Sequence, residues 1–221
     1  MAIRPTDHVG VFTDGSWLYT RNLVPGRAVY GEALRVEDGV EYRRWDAERS
    51  KLAAYLKKGG VRWPFLETTS VLYLGAASGT TASHLSDICP RGTIVAVEVS
   101  PRSFRDLVNV AEGRPNLLPI LGDASRPDAY RSRVGNVDVV YQDVAQRDQE
   151  AIFLHNLASL RPEGVGFLML KSRSVNVAAR PADVYRVARE TIASKGFDVL
   201  DVRPLDPYAG DHAAIVVTPS A

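Results

Sequence analysis

The stretch VLYLGAASGTTASHLSD, residues 71–87, decides the fold of this chain. Its apolar run Val71–Leu74 stops at the small residues 75–79, and a helix-like segment opens at Thr80. A strand that passes through a turn of small residues into a helix is typical of proteins that hold a nucleotide-like ligand. The stretch therefore predicts an α/β fold with a ligand site where this strand ends.

Strand-like and helix-like segments alternate after this turn. The candidate strands are 70–74, 93–98, 117–121, 137–142 and 164–171, and the candidate helices are 79–89, 101–112, 127–133, 147–159 and 182–195. Alternation of this kind predicts a parallel sheet with helices on both faces. The last two strand-like runs, FDVLDVRPL and AAIVVTP, have no helix between them, which predicts an antiparallel pair at one edge. The layout is that of a class I methyltransferase, with a Rossmann-like seven-stranded sheet and a terminal antiparallel hairpin.

The first 65 residues have a different character, because aromatic and β-branched residues dominate them. Asp-Gly pairs at 14–15 and 38–39 predict hairpin turns. The segment DAERSKLAAYLKKGG predicts a helix with Asp46 as its N-cap. We therefore predict a small N-terminal antiparallel β module with one helix over residues 1–65, and a methyltransferase domain over residues 66–221.

Composition limits the compartment and the type of site. Hydrophobic residues make up 45% of the chain and charged residues 24%, which is ordinary for a globular protein. No apolar run approaches the roughly 20 residues that span a membrane, and the N-terminus has no apolar signal-peptide core. The single cysteine, Cys89, excludes an intrachain disulfide and a multi-cysteine zinc site. We expect a cytoplasmic protein with no metal site and no membrane partner.

The charge is balanced overall but uneven along the chain. The formal net charge is +1, whereas a protein that binds nucleic acid by itself is usually more basic. Between Arg43 and Arg62, however, seven basic side chains stand against two acidic ones. This basic run favours a solvated helix face and a phosphate-facing patch equally.

The turn after the first strand is not built for phosphate. A dinucleotide fingerprint needs a second glycine two residues after the first so that the backbone can approach a pyrophosphate. Here the residue two positions after Gly75 is Ala77, so the second glycine is missing. The turn also lacks the Gly-Lys-Ser/Thr sequence of a P-loop. A dehydrogenase is therefore the weakest reading. A ligand with a ribose and an amino acid tail but no phosphate, such as S-adenosylmethionine, fits better.

Acidic residues follow three consecutive strands of the predicted sheet. Glu98 ends the second strand, where a carboxylate can accept hydrogen bonds from both ribose hydroxyls. Asp123 follows the third strand, where it can meet the adenine amino group, and Asp143 follows the fourth. Acids often end strands as turn formers or helix caps. Because the three acids follow three consecutive strands at the same end, we expect them to line one crevice. A functional role is therefore favoured for the three together.

Several longer segments resemble one family. YLGAASGTTASHLSD, AVEVSPRSFRDL, LPILGDAS, VDVVYQDVAQ and DPYAGDHAAIVV are similar to fibrillarin, in the same order, and RRWDAERSKLAA also resembles it. The resemblance runs from about residue 8 to residue 218. The chain lacks the Gly/Arg-rich N-terminal extension of eukaryotic fibrillarin, so we expect the archaeal form.

The resemblance implies both an activity and an assembly. Fibrillarins use S-adenosylmethionine to methylate ribose 2′-hydroxyls in RNA, chiefly ribosomal RNA and by extension transfer RNA. They act in a ribonucleoprotein whose C/D-box guide RNA selects the target by base pairing. A Nop-type scaffold protein and a kink-turn-binding protein complete the assembly. A near-neutral charge agrees with this, because a subunit carried to its substrate needs less phosphate affinity of its own.

The resemblance also implies a catalytic set of Lys51, Asp143, Lys171 and His212. The chemistry requires oxygen, methyl carbon and sulfur in line and an easy loss of the hydroxyl proton. Lys171 can act either as a neutral amine that takes this proton or as an ammonium that stabilises the oxyanion. Lys51 and His212 would position the ribose. Taken singly, each of the two lysines and the histidine would be read as an ordinary surface or loop residue.

The same reasoning assigns ten residues to the cofactor: Gly75, Ala77, Thr80, Thr81, Glu98, Val99, Asp123, Ala124, Asp143 and Gln146. The two threonines open a helix, where hydroxyl and backbone N–H groups can meet the methionine carboxylate, although a threonine there can also merely cap the helix. Two other functions stay open at this point. One is a stand-alone RNA or protein methyltransferase, and the other is a docking subunit that has lost catalysis.

Overall fold

The computed structural model describes residues 2–220 and contains two β-sheets. The strands of the smaller sheet are β1 (Arg4–Pro5), β2 (Phe12–Thr13), β3 (Leu18–Arg21), β4 (Leu34–Glu37) and β5 (Val40–Trp45). They pair antiparallel in the order β1-β2-β3-β5-β4. Asp38 and Gly39 form the two-residue turn of one hairpin with φ angles of 51° and 77°, as a type I′ turn requires. The predicted N-terminal β module is confirmed.

The larger sheet has seven strands. They are β6 (Val71–Leu74), β7 (Ile94–Glu98), β8 (Leu117–Leu121), β9 (Val137–Gln142), β10 (Leu160–Lys171), β11 (Phe197–Pro204) and β12 (His212–Pro219). Their order is β11-β12-β10-β9-β6-β7-β8. The first five strands are parallel, and β12 lies antiparallel between β10 and β11. This is the predicted Rossmann-like sheet with its terminal hairpin at one edge.

Helices connect these strands. They are α1 (Lys51–Lys57), α2 (Thr80–Ile88), α3 (Pro101–Ala111), α4 (Arg131–Val134), α5 (Gln149–Asn156), α6 (Ser172–Val175) and α7 (Pro181–Ala193), with 3₁₀ turns at Pro127–Ala129 and Leu157–Ser159. The predicted helix 127–133 is broken into a 3₁₀ turn and the single turn α4, and α6 was not predicted. Over residues 2–220, no helix combines the length and the apolar character that a bilayer crossing demands.

The predicted N-cap of the first helix is wrong. The helix begins at Lys51, and the N-cap is Ser50, whose Oγ accepts a hydrogen bond from the Ala53 N–H at 3.4 Å. Asp46 instead accepts the N–H of Glu48 at 2.9 Å and closes a turn before the helix. Both residue types are good caps. The later start matters because it places Lys51 at the first position of α1.

Side chains alternate between two hydrophobic clusters on the two faces of the larger sheet. One, which we call the module-side cluster, joins Trp45 and Leu52 of the N-terminal module to Tyr73, Tyr141 and Met169 of the sheet. The cluster on the other face takes the alternate strand positions and packs against α5 and α7. The hydrophobic core therefore runs without interruption from the N-terminal module into the larger sheet.

A buried charged cluster also joins the two parts. Arg43 of β5 forms ion pairs with Glu32 at 2.6 Å and with Asp87 of α2 at 2.8 Å, and all three side chains are fully buried. Arg114 contacts the second Asp87 oxygen at 2.6 Å. Burial, with Arg43 and Arg114 nearby, holds the pKa of His84 well below its usual range. Buried ions are tolerated only when paired and hydrogen-bonded, as they are here.

Candidate active site and cofactor cavity

A cavity of about 190 Å³ opens at the carboxyl ends of β6, β7, β8 and β9. Its lining includes seven of the ten residues predicted for the cofactor: Gly75, Ala77, Glu98, Val99, Ala124, Asp143 and Gln146. Typical pockets for whole ligands are about 300 Å³ or larger. The cavity therefore matches one part of S-adenosylmethionine, and the rest of the molecule must extend beyond it.

Backbone geometry explains the small residues of the turn. Gly75 has a φ of +77°, and a Cβ there would lie 2.4 Å from the carbonyl oxygen of Asp143. The glycine thus lets the turn after β6 approach the segment after β9. Ala77 also has a positive φ, +48°, which an L-residue adopts with strain. Its N–H is thereby directed at Glu98, to which it donates at 2.8 Å.

We expect Gly75→Ala to weaken cofactor binding by at least tenfold and to destabilise the fold by about 2 kcal/mol or more. The Cβ would force Asp143 away, and the positive φ adds about 1–2 kcal/mol of strain. Calorimetric titration of S-adenosylmethionine and urea unfolding would measure the two effects. Gly196→Ala is the matched control, because its φ is +84° but its Cβ would meet nothing within 4 Å. Equal effects of the two substitutions would contradict the role of the close approach.

Glu98 is held in place by two backbone groups. Its Oε2 accepts from Ala77, and its Oε1 accepts the Ser100 N–H at 2.7 Å. The residue is 7% exposed, and it lines the cavity. Each carboxylate oxygen keeps a second lone pair, so the fixed carboxylate can still accept hydrogen bonds from ribose hydroxyls.

Three predicted cofactor residues lie outside the cavity lining. Asp123 accepts hydrogen bonds from the backbone and hydroxyl of Ser125, which lower the pKa of the carboxyl group. Thr81 donates its hydroxyl to Ser50 at 2.9 Å. Thr80 begins α2, whose first N–H groups have no partner within the helix. Because its hydroxyl is engaged by Ser50, any contact of Thr81 with the cofactor would use its backbone.

The negative charge of the cavity lining agrees with the prediction that this turn does not bind a phosphate. Its lining contains two carboxylates, Glu98 and Asp143, and no lysine or arginine among the residues that the structure describes there. Acidic groups repel a pyrophosphate but attract a cation. S-adenosylmethionine carries a positive sulfonium and no phosphate, so the residues present fit this cofactor.

Two of the four predicted catalytic residues form an ion pair at the edge of the cavity. Lys51 Nζ lies 2.8 Å from Asp143 Oδ2, and their side chains are only 25% and 20% exposed. Lys51 starts α1 in the N-terminal module, and Asp143 follows β9. The pair therefore places a residue of the N-terminal module directly at the cofactor cavity.

The other two catalytic candidates are cross-strand partners. Lys171 ends β10 and lies opposite His212, the first residue of β12. Met169 lies two residues before Lys171, and Tyr141 lies two residues before Asp143. Both Met169 and Tyr141 belong to the module-side cluster. Because strand side chains alternate, Lys171 and Asp143 extend toward the same face, the one that α1 covers. The charges of Lys51, Asp143 and Lys171 all act on His212. The structure thus brings the four predicted residues together.

His212 has a lowered imidazole pKa and a hydrogen bond that selects one tautomer. Burial lowers the pKa of its imidazole, the Gly210 carbonyl raises it, and the neighbouring charge of Lys51 lowers it again, so the net shift is downward. Its Nδ1 lies 2.7 Å from the Gly210 carbonyl oxygen. Because a carbonyl only accepts, Nδ1 carries the proton. Nε2 is then left as a hydrogen-bond acceptor.

We expect the ring protons of His212 to titrate below pH 6.5 in an NMR experiment, with assignment by His212→Gln. A lowered folded pKa means that the native state favours the neutral ring. The stability from this preference is complete above the unfolded pKa of about 6.5 and is lost as the pH falls from there through the folded pKa. A titration midpoint at or above 6.5 would contradict this assignment.

Sequence reasoning missed two glutamines that support the site. Gln149 of α5 accepts the N–H of Lys171 at 2.9 Å and donates to its carbonyl at 3.1 Å. Gln142 donates to the Gln149 carbonyl at 2.8 Å, and both glutamines are fully buried. They fix the backbone that carries Lys171. A buried amide beside Asp143 in YQDVAQ was a signal that could have been used.

These features can be compared with known proteins. The family model described as fibrillarin matches residues 4–220. The chain belongs to the fibrillarin family. A fibrillarin-like rRNA/tRNA 2′-O-methyltransferase of Sulfolobus acidocaldarius is 47% identical over 210 residues, which cover 94% of this chain and 91% of that protein.

Solved structures of fibrillarins superpose closely on this chain. Aeropyrum pernix fibrillarin with natively bound S-adenosyl-L-methionine has a TM-score of 0.91 at 46% identity, covering 99% of this chain and 98% of the other. A fibrillarin from a fibrillarin/Nop5p complex has a TM-score of 0.89 at 37% identity, covering 97% and 100%. The predicted family and fold are confirmed, and S-adenosylmethionine is the cofactor of this fibrillarin-family chain.

Proposed function

We propose that this chain transfers a methyl group from S-adenosylmethionine to ribose 2′-hydroxyls of ribosomal and transfer RNA. It acts as the catalytic subunit of a C/D-box guide ribonucleoprotein. The observation that carries this proposal is the Lys51–Asp143 ion pair, which stands at the rim of the cofactor cavity beside Lys171 and His212. These polar groups meet where a hydroxyl must approach the methyl donor.

The cofactor supplies a methyl group that its positive sulfur already activates. For transfer to occur, a ribose 2′-hydroxyl would have to be held in line with this methyl group and give up its proton. The chain has to orient the oxygen and accommodate that proton. His212 Nε2 can accept a hydrogen bond from a ribose hydroxyl. Lys171 remains the candidate for taking the proton or stabilising the oxyanion.

Asp143 contacts both the cofactor cavity and the predicted catalytic set. It lines the cofactor cavity, and it holds Lys51 at 2.8 Å. A carboxylate in this position favours a nearby sulfonium cation and also fixes the amine of Lys51. We assign Lys51 and His212 to positioning the ribose and Asp143 to holding Lys51 in place.

Membership of the family supports a scaffold-bound assembly. A Nop-type scaffold protein binds this chain, as one does in the fibrillarin/Nop5p complex. We extend this to a C/D-box guide RNA that selects the target and a kink-turn-binding protein that anchors the RNA. A net charge of +1 supports delivery by such partners, because it gives the chain little general affinity for RNA. We place the assembly in the cytoplasm.

The test is transfer of a labelled methyl to a ribosomal RNA fragment, by the chain alone and by the assembly with scaffold, kink-turn-binding protein and matched guide RNA. We expect methylation of one ribose in the assembly only, and its loss with Lys171→Ala. Lys195→Ala is the matched control, because Lys195 is exposed and distant in the fold. Equal methylation by the chain alone would indicate a stand-alone enzyme. No transfer with scaffold binding intact would indicate a docking subunit.

A further inference from the structure

A second cavity, of about 410 Å³, lies between the N-terminal module and α3. Its lining includes three arginines, Arg27, Arg49 and Arg114, together with Ser78 of the small-residue turn. Arg49 stands two residues before Lys51, and Ser78 one residue after Ala77. The cavity, which we call the arginine cavity, therefore lies next to the segment that carries Lys51 and next to the cofactor turn.

Arg114 is the most deeply buried residue of this lining, with 2% of its surface exposed. Its Nη1 donates to Asp87 at 2.6 Å and to the Ser83 carbonyl at 3.1 Å. Its Nη2 has no hydrogen-bond partner among residues 2–220. A buried guanidinium N–H without a partner is unfavourable. Arg114 therefore forms part of the cavity wall while its charge is balanced by Asp87.

The other two arginines are exposed and available. Arg49 forms no ion pair within the described part of the chain, and its guanidinium lies 5.9 Å from the centre of the Tyr30 ring. Arg27 donates to the Asn109 carbonyl at 2.8 Å and lies 4.0 Å from Glu112, which is 65% exposed, so it keeps other N–H groups free. Asp106 is the one acidic residue in the described lining. Because Asp87 already pairs with Arg114, the positive balance of the lining comes from Arg49 and the partly free Arg27 against Asp106.

The structure separates the members of the basic run from Arg43 to Arg62. Arg43 is buried in ion pairs, and Lys51 pairs with Asp143. Lys57 donates to the Ser16 carbonyl. Arg49 is the one member of the run in the described lining of the arginine cavity. The run is therefore not one phosphate-facing surface, and any phosphate contact it makes here passes through Arg49.

We propose that the arginine cavity binds a backbone phosphate of the substrate RNA near the ribose that is methylated. This rests on the proposed function and adds a positioning site to it. Arginine is suited to the task because its planar fork of N–H groups matches two phosphate oxygens. A single local contact beside the reaction centre would fix the strand without giving a chain of net charge +1 general affinity for RNA.

The test uses Arg27→Gln and Arg49→Gln in the assembled particle, with Arg189→Gln as matched control. Arg189 is exposed on α7, the helix on the opposite face of the sheet. We expect each cavity variant to raise the KM for RNA about tenfold and to reduce the slope of log affinity against log salt by about one. Asp106→Asn should lower the KM, because it removes the one opposing charge. The control should change neither quantity.

Two binding measurements on the isolated chain separate the sources of the anion. Titration with S-adenosylmethionine should give the same affinity for the arginine variants and the wild type. A loss of affinity there would assign the cavity to the methionine carboxylate and overturn the RNA proposal. Anisotropy of a labelled single-stranded RNA at low salt should fall with Arg27→Gln and Arg49→Gln, and this readout needs no methyl transfer. Unchanged RNA binding and unchanged KM would overturn the site, whereas failure of wild-type methylation alone would overturn the proposed function.

Discussion

Asp143→Asn is expected to slow methyl transfer by about 10²- to 10³-fold. The amide keeps the shape of the side chain and can still accept a hydrogen bond from Lys51, now 2.8 Å away. It removes the negative charge that balances Lys51 and that faces the cofactor cavity. A charge fixed in a partly buried site contributes more than in water, and loss of one such group commonly costs a factor of this size.

Single-turnover transfer by the assembled particle measures this effect, and calorimetric titration of S-adenosylmethionine separates it from cofactor binding. We expect weaker cofactor binding as well, because the sulfonium loses a neighbouring carboxylate. Asp128→Asn is the matched control, since Asp128 is 93% exposed and pairs with Arg131 only at 3.6 Å. A rate within threefold of wild type would show that the charge of Asp143 is dispensable and that the residue acts by shape alone.

The sequence predicts the large sheet well because its signals are local. Short apolar runs such as 137–142 end at turn residues, and the helices between them match within three residues, apart from the broken segment 127–133. Glu98 and Asp143 could be chosen from position alone, because carboxyl ends of parallel strands meet at one edge. The prediction of Asp46 as the N-cap of α1 was wrong because aspartate and serine are equally good caps. Only the geometry of the turn before the helix selects between Asp46 and Ser50.

Residues that meet across long stretches of chain were not predictable from pattern. Lys51 and Asp143 are 92 positions apart and lie in different modules, so Lys51 came from the family resemblance alone. Arg43 was read as part of a surface run, because an arginine is rarely fully buried. Its partner Asp87 is 44 positions away, and no periodicity reports such a contact. Local patterns thus place elements, whereas the pairing of charges between modules depends on the folded structure.

Arg43→Met is expected to lower the free energy of unfolding by about 3–5 kcal/mol. All three guanidinium nitrogens of Arg43 are used, by Glu32 at 2.7 Å, Asp87 at 2.8 Å and Ser83 at 2.9 Å. Burial raises the pKa of Glu32, but Arg43 and backbone N–H groups outweigh this, so the net pKa is lowered. Without Arg43 a buried carboxylate loses its counter-charge, which typically costs this much.

Urea unfolding can follow the two parts of the chain separately, because all three tryptophans lie before residue 66 and most helical residues lie after it. We expect tryptophan fluorescence and helical circular dichroism to change together, in wild type and in Arg43→Met, since the module-side cluster and the charged cluster both cross the boundary. Arg62→Met, at an exposed position, should shift neither curve. The double variant Arg43→Met with Glu32→Gln should recover part of the loss, because it removes the unpaired charge.

A fluorescence transition at lower urea than the dichroism transition in wild type would mean that the N-terminal module unfolds on its own. Lys51 could then leave Asp143 while the methyltransferase domain stays folded.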